Sequence, residues 1–237
     1  MIELWELGGL EDCRYSTFSW RARLALRHKG LAFTVHPVRV SDKDAIAFSG
    51  QKMVPILRHD GQVVTDSWRI AAYLERAFPD RPSLFGGPVG ESLTRIFALG
   101  VDRDLIPKIV PYLAADVLEC VAPEDARHLE AQFERFFRRP VAAFAGERDQ
   151  ALPAFGRALG AIRKGLESAP FIAGAAPAYA DHVLFGVLQW ARVVSTCQVL
   201  ESDDPVAGWF ERMLDAYGGE GRREPARAGS DRGSDAG

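Results

Sequence analysis

The feature that most constrains this chain is a change of hydrophobic period near residue 80. Before it, short β-rich runs alternate with helical patterns; after it, nearly every stretch repeats at helical spacing. Residues 2–7 read as a strand closed by Gly8-Gly9. Residues 17–29 read as a helix with Phe18, Ala22, Ala25 and Leu26 on its apolar face and Gly30 placed to stop it. Residues 31–40 are β-rich, with Phe33, Val35 and Val38 as candidate core contacts. Residues 54–58 and 62–65 flank His59-Asp60-Gly61, and Asp-Gly between such runs signals a hairpin. A helix follows from Asp66, with Ile70, Ala71, Leu74 and Phe78 as its face. The β-α-β then β-β-α order predicts a mixed sheet in which the hairpin completes a parallel pair. Residues 42–51 carry no readable pattern.

Phe78-Pro79-Asp80-Arg81-Pro82 and Gly86-Gly87-Pro88 punctuate a linker. Beyond it, Leu93, Phe97, Leu105, Ile109, Leu113 and Leu118 predict one long helix, or two broken near Pro107 and Pro111. Further helices are expected over 124–144, 152–166, 181–195 and 205–216. From Gly218 onward no large apolar residue occurs, so the tail is expected to be disordered. The division is therefore an α/β domain over 1–80, a linker over 81–88, an all-α helical domain over 89–217 and a tail over 218–237.

The 237 residues carry a formal net charge of −3, which gives no electrostatic case for nucleic acid or an anionic membrane as main partner. The N-terminal residues lack a basic segment followed by an apolar one, and no apolar run reaches a membrane span. Cys13, Cys120 and Cys197 are odd in number and far apart, which fits a reduced, cytoplasmic setting better than a disulfide framework. The five histidines share no metal-ligand spacing with them, so no metal is expected.

Specific residues carry a family resemblance. Met53-Val54-Pro55-Ile56-Leu57 followed by Asp66-Ser67 resembles the glutathione-binding signature of the cytosolic glutathione transferases. Asp66 to Leu74 is similar to the helix after that signature, and Phe171-Ile172-Ala173-Gly174 with Ala180-Asp181 resembles the motif of the helical domain. Ser16-Thr17-Phe18-Ser19-Trp20-Arg21 is similar to the bacterial β-etherases, which cleave aryl ethers and have fungal relatives. Segments 179–181, 185–186, 189–195 and 209–212 resemble the same branch. The resemblance covers roughly residues 1–217. It implies an α/β thioredoxin-like N-terminal domain plus an all-α C-terminal helical bundle, glutathione as cosubstrate, a hydrophobic electrophile as second substrate, and a homodimer.

It also implies roles. The Val54-Pro55 bond would be cis, turning the Val54 N–H and C=O toward the cysteinyl part of glutathione. Asp66-Ser67 would hold the γ-glutamyl end, where free backbone N–H groups at a helix start favour a carboxylate. Lys52, or Gln51 beside it, would reach the glycine end. Ser16, between the first strand and first helix, would donate a hydrogen bond to the thiolate. Lowering a thiol from pKa ~8.5 by ~2 units takes ~2.7 kcal/mol. A hydrogen bond to a charged group supplies roughly 1.5–3 kcal/mol and a helix N-terminus roughly 0.3–2. The competing reading makes Ser16 a plain helix cap.

Tyr15, Cys13 and Ser19 are the rivals for thiol activation, and Thr17 stands where many relatives have proline. Asp181 is expected to accept N–H groups at the start of its helix, with Ala178 unable to complete a reciprocal box. Trp20, Tyr112, Phe185 and Trp190 are expected to wall the second-substrate site. A different class of activity is carriage of hydrophobic ligands in the same pocket without turnover.

Overall fold

A computed structural model describes residues 1–228. Its sheet has the order β2-β1-β3-β4, built from β1 (Ile2–Leu7), β2 (Thr34–Val38), β3 (Ile56–His59) and β4 (Gln62–Thr65). β1 runs parallel to β2 and antiparallel to β3, and β3 pairs antiparallel with β4. This is the mixed sheet predicted from element order and the thioredoxin-like arrangement that the resemblance implied. The hairpin turns at Asp60 and Gly61, with φ of 48° and 84°, the paired positive values that Asp-Gly tolerates.

Strand alternation divides the sheet's two faces. Ile2, Leu4 and Leu57 join the main core beneath α1 (Thr17–His28) and α2 (Ser67–Ala77), while Trp5, Val38 and Ile56 pack with Ile46 on the other face. Ile46 comes from the unassigned stretch, which forms a short 3₁₀ segment, Asp44–Ser49. Of the candidate contacts over 31–40, Val38 is buried, whereas Val35 on this edge strand and Phe33 just before it are half-buried.

The helical domain contains α3 (Pro88–Gly100), α4 (Ile106–Leu118), α5 (Pro123–Phe137), α6 (Arg148–Ala158), α7 (Gly160–Leu166), α8 (Tyr179–Val194) and α9 (Pro205–Gly219). The helix break falls before Pro107: a π-helical segment, Val101–Leu105, joins α3 to α4, whereas Pro111 sits inside α4 without breaking it. The expected helix over 124–144 ends at Phe137, where Arg138 takes φ 60°. The one over 152–166 divides between α6 and α7. Buried α8 is the central pillar: Gly186 lets it close on the start of α1, since a Cβ there would lie 2.4 Å from the Thr17 carbonyl oxygen. Asp181 accepts from the backbone N–H of Ala178, Ile172 and Ala173 and from the Trp209 indole. Burial pushes its carboxyl upward despite those donors.

The tail differs from expectation over residues 218–228. Glu220 is fully buried among Arg23, Arg27 and Arg223 at 3.1, 3.0 and 2.8 Å. The Gly221 carbonyl accepts from Gln189 at 2.9 Å, and Arg227 caps the Val194 carbonyl at 2.6 Å. Paired charge and backbone hydrogen bonds hold this segment, so a count of large apolar residues misses it. Residues 229–237 of the expected tail lie outside the described residues. Among the described residues no helix is long and apolar enough to cross a membrane.

Candidate functional site

The seam between the two domains opens into a cavity of about 680 Å³. Ser16, Lys52, Val54, Pro55, Asp66 and Ser67 all line it, together with Gln51. Three local structures bring them there. Ser16 ends the β1–α1 loop, the cis Val54-Pro55 bond precedes β3, and Asp66-Ser67 opens α2.

Ser16 is the N-cap of α1: its Oγ accepts the Ser19 N–H at 3.2 Å. That bond uses an oxygen lone pair and leaves the hydroxyl proton free to be donated. Capping and donation to a ligand are thus compatible in one group. The rivals sit less favourably. Tyr15 lines the cavity, but its hydroxyl is buried without a partner, and burial pushes the phenol well above its ordinary range. Cys13 does not line the cavity; its thiol reaches the Val193 carbonyl at 3.7 Å. The Ser19 hydroxyl is buried away from the cavity.

At the start of α2, Asp66 has φ 75°, a region that residues with a side chain rarely occupy. Its Oδ1 accepts the Arg69 N–H at 3.0 Å and caps the helix. Ser67 is buried, and its carbonyl accepts the Tyr179 hydroxyl at 2.8 Å, so α8 fixes this end of the cavity. Val54 stands two residues before the β3 ladder begins at Ile56, at the cavity edge. Lys52 is exposed; its carbonyl accepts Lys43 Nζ at 3.0 Å. Lys43 is a cavity cation that the sequence reading missed, and burial lowers its pKa.

The helical side of the cavity is mostly apolar, with Asp102 and Gln132 as its polar members: Ile106, Val110, Phe133, Phe136 and Phe137 line it, as Phe18 and Met53 do from the other domain. Of the four expected wall residues, Trp190 lines the cavity. Trp20, Tyr112 and Phe185 do not; they are buried elsewhere in the core. Trp20 is held inward by its indole N–H, which donates to the Arg14 carbonyl at 2.7 Å. Phe18 was assigned to the helix's apolar face but is 40% exposed, with Arg21 stacked on its ring. The aromatic run Phe133, Phe136 and Phe137 was the available signal for the wall, since one helix face presents it twice within a turn. In the first turn of the same helix, burial pushes the Asp125 carboxyl upward, but its Ser41 and Arg39 donors outweigh this and hold it low.

Comparisons with known proteins agree with this architecture. Residues 10–82 match the glutathione S-transferase N-terminal domain model, and residues 92–217 match the C-terminal domain model. Glutathione S-transferase U22 of Arabidopsis thaliana is 31% identical over 94 residues, 38% of this chain; the match spans 43% of that relative, less than half its length. Glutathione transferase GSTFuA3 of Phanerochaete chrysosporium superposes with a TM-score of 0.79 at 21% identity, covering 91% of this chain and 96% of that one. The β-etherase LigF of Sphingobium sp. strain SYK-6 superposes at 0.68 with 20% identity, covering 90% and 95%. Two family models in order across both domains decide the matter: the chain belongs to the glutathione S-transferase family.

Proposed function

We propose that this protein is a glutathione S-transferase in which Ser16 stabilises the thiolate of bound glutathione for attack on a hydrophobic electrophile. The observation that carries the reading is the convergence of Ser16, Val54 and Ser67 on one cavity whose other wall is aromatic and aliphatic. In this reading the γ-glutamyl carboxylate meets the free N–H groups at the start of α2, and its ammonium meets Asp66. The cysteinyl backbone pairs with Val54 as an added strand. The glycine carboxylate meets Lys52, with Lys43 as a second cation. The thiol then lies by Ser16 at the start of α1, where the hydroxyl proton and helix dipole both favour its ionised form.

The apolar wall suits an aryl substrate, and the superposition with a β-etherase supports aryl-ether cleavage with a phenolate leaving group as one such reaction. The three free cysteines are in keeping with a cytoplasmic setting. A homodimer is supported by α3, where Val89, Leu93 and Ile96 are 75, 62 and 68% exposed along one face.

The test is the thiolate absorbance of bound glutathione against pH, for wild type and Ser16→Ala. A titration raised by roughly 1–2 units in the variant is expected, from the loss of one charge-assisted hydrogen bond. Identical titrations would remove Ser16 from the role, and a wild type that binds no glutathione would remove the whole reading. Turnover of a model β-aryl ether against a chlorodinitrobenzene-type electrophile separates ether cleavage from general conjugation.

A further inference from the structure

Behind the cavity, on the far side of Tyr15, two cysteines distant in sequence come together. Cys13 lies in the β1–α1 loop and Cys120 just past the C-terminus of α4. The backbone brings these segments side by side: the Leu10 N–H donates to the Cys120 carbonyl at 2.8 Å, and the Gly9 N–H donates to the Cys13 carbonyl at 2.8 Å. Gly9 permits this approach, because a Cβ there would lie 2.4 Å from the Cys120 carbonyl oxygen. Both thiols reach the end of α8, Cys13 at the Val193 carbonyl (3.7 Å) and Cys120 at the Val194 carbonyl (3.8 Å), and Cys120 also meets the Asp116 carbonyl of α4 at 3.4 Å. The two sulfurs thus share one site, each set against one of two successive carbonyls at the end of α8.

A cation completes the cluster. Arg227 Nη1 lies 3.5 Å from Cys120 Sγ while donating to Val194 O at 2.6 Å and Asp116 O at 3.0 Å; its Nη2 pairs with Glu119 at 2.6 Å. The Cys13 hydrogen bond, helped by Arg227, lowers the Cys120 thiol despite its burial. The same contact with Cys120, and then burial, pushes Cys13 the other way. Arg227 makes its sulfur contact with Cys120, so the pair is asymmetric, with the sulfur beside the cation suited to ionise and the other to remain a thiol.

We propose that Cys13 and Cys120 form a redox couple, oxidised by a hydroperoxide to an intramolecular disulfide that ties the loop leading into Ser16 to the end of α4. In the first step the Cys120 thiolate attacks one oxygen of the hydroperoxide. The O–O bond breaks, an alcohol leaves with the displaced oxygen and a proton, and Cys120 becomes a sulfenic acid. In the second, Cys13 gives up its proton and its sulfur attacks the Cys120 sulfur. The S–S bond forms, the S–O bond breaks and water leaves. Two thiols lose two electrons and two protons, and the hydroperoxide is reduced to alcohol and water. Formation of the bond brings the two sulfurs to about 2 Å. Cys197 is exposed and free, and provides an internal control for indiscriminate oxidation.

The test is peptide mapping of the full chain after treatment with hydrogen peroxide and native alkylation. The expected product is a single linked peptide pair containing Cys13 and Cys120, reversed by dithiothreitol and absent from both Cys13→Ser and Cys120→Ser. In Cys13→Ser a dimedone adduct should accumulate on Cys120, since no resolving thiol remains. Recovery of Cys13 and Cys120 as separately alkylated peptides from peroxide-treated wild type would overturn the proposal. So would linkage through Cys197, or a dimedone adduct confined to Cys197. The wild-type map alone decides the matter if either serine variant fails to fold.

Discussion

The Tyr179 hydroxyl donates to the Ser67 carbonyl at 2.8 Å, so a helix of the second domain holds the first turn of α2. Both groups are buried, and the phenol is pushed up by that burial, so it stays a neutral donor. Removing it in Tyr179→Phe takes away the buried cross-domain hydrogen bond and leaves the carbonyl its helical partner, at a cost of about 0.5–1.5 kcal/mol. Denaturant unfolding should show that loss, with glutathione binding weakened alongside because the same turn faces the cavity. Unchanged binding would mean that the turn is held by α2 alone.

The two roles of Ser16 separate in Ser16→Gly. Glycine at an N-cap costs only a few tenths of a kcal/mol where alanine costs about 1. The glycine variant should therefore unfold near the wild-type midpoint, yet titrate its bound thiol as high as Ser16→Ala does. A glycine variant that keeps the wild-type titration would assign Ser16 to capping only.

Gly186→Ala places a methyl group 2.4 Å from the Thr17 carbonyl oxygen, and neither backbone can swing away cheaply. Overpacking of this kind costs about 1–3 kcal/mol, and the relief available is a shift of α1 away from α8. Lower stability together with reduced turnover is the expected pair of outcomes, read by thermal unfolding and initial rates. Wild-type values for both would show that α1 and α8 part without consequence.

Glu220→Ala leaves Arg23, Arg27 and Arg223 facing one another without their shared carboxylate. Arg27 and Arg223 are partly exposed and Arg23 keeps Glu6, so the loss is that of hydrogen bonds to a charged group, about 1.5–3 kcal/mol. Deleting residues 220–237 should cost a comparable amount, measured as a lower denaturation midpoint, which a merely solvated tail would not produce.

Acid should weaken the fold through His182. Burial, with nearby His28 adding to it, holds this fully buried ring neutral, its Nε2 bonded to the Tyr217 hydroxyl at 2.7 Å. Because its folded pKa is depressed, the unfolded chain takes up a proton below about pH 6.5 that the folded chain refuses. Stability is then fully present above that pH and falls by about 1.4 kcal/mol per pH unit below it. Thermal unfolding between about pH 7 and 5 should show a smaller slope in His182→Gln, and an unchanged slope would clear His182 of the effect.

Local signals in the sequence place the elements and the short motifs that line the cavity. Periodicity of 2 and 3.6, the Asp-Gly turn and the glycine stops place β1, α1, the hairpin and α2, because those signals act within a few residues. Ser16, Val54-Pro55 and Asp66-Ser67 were legible for the same reason: each is a short motif at an element boundary. Tertiary structure alone decided which aromatic side chains face the cavity. Trp20 and Phe185 look as suited to it as Trp190, but which way a helix turns depends on what packs against it. It also decided the fate of residues 218–228, whose Glu220 and Arg227 find partners on α1 and α4 roughly two hundred and one hundred residues away. The meeting of Cys13 with Cys120 has the same origin. Long-range pairing of charges and thiols leaves no periodic trace in a sequence, since it is fixed by the fold and not by neighbours along the chain.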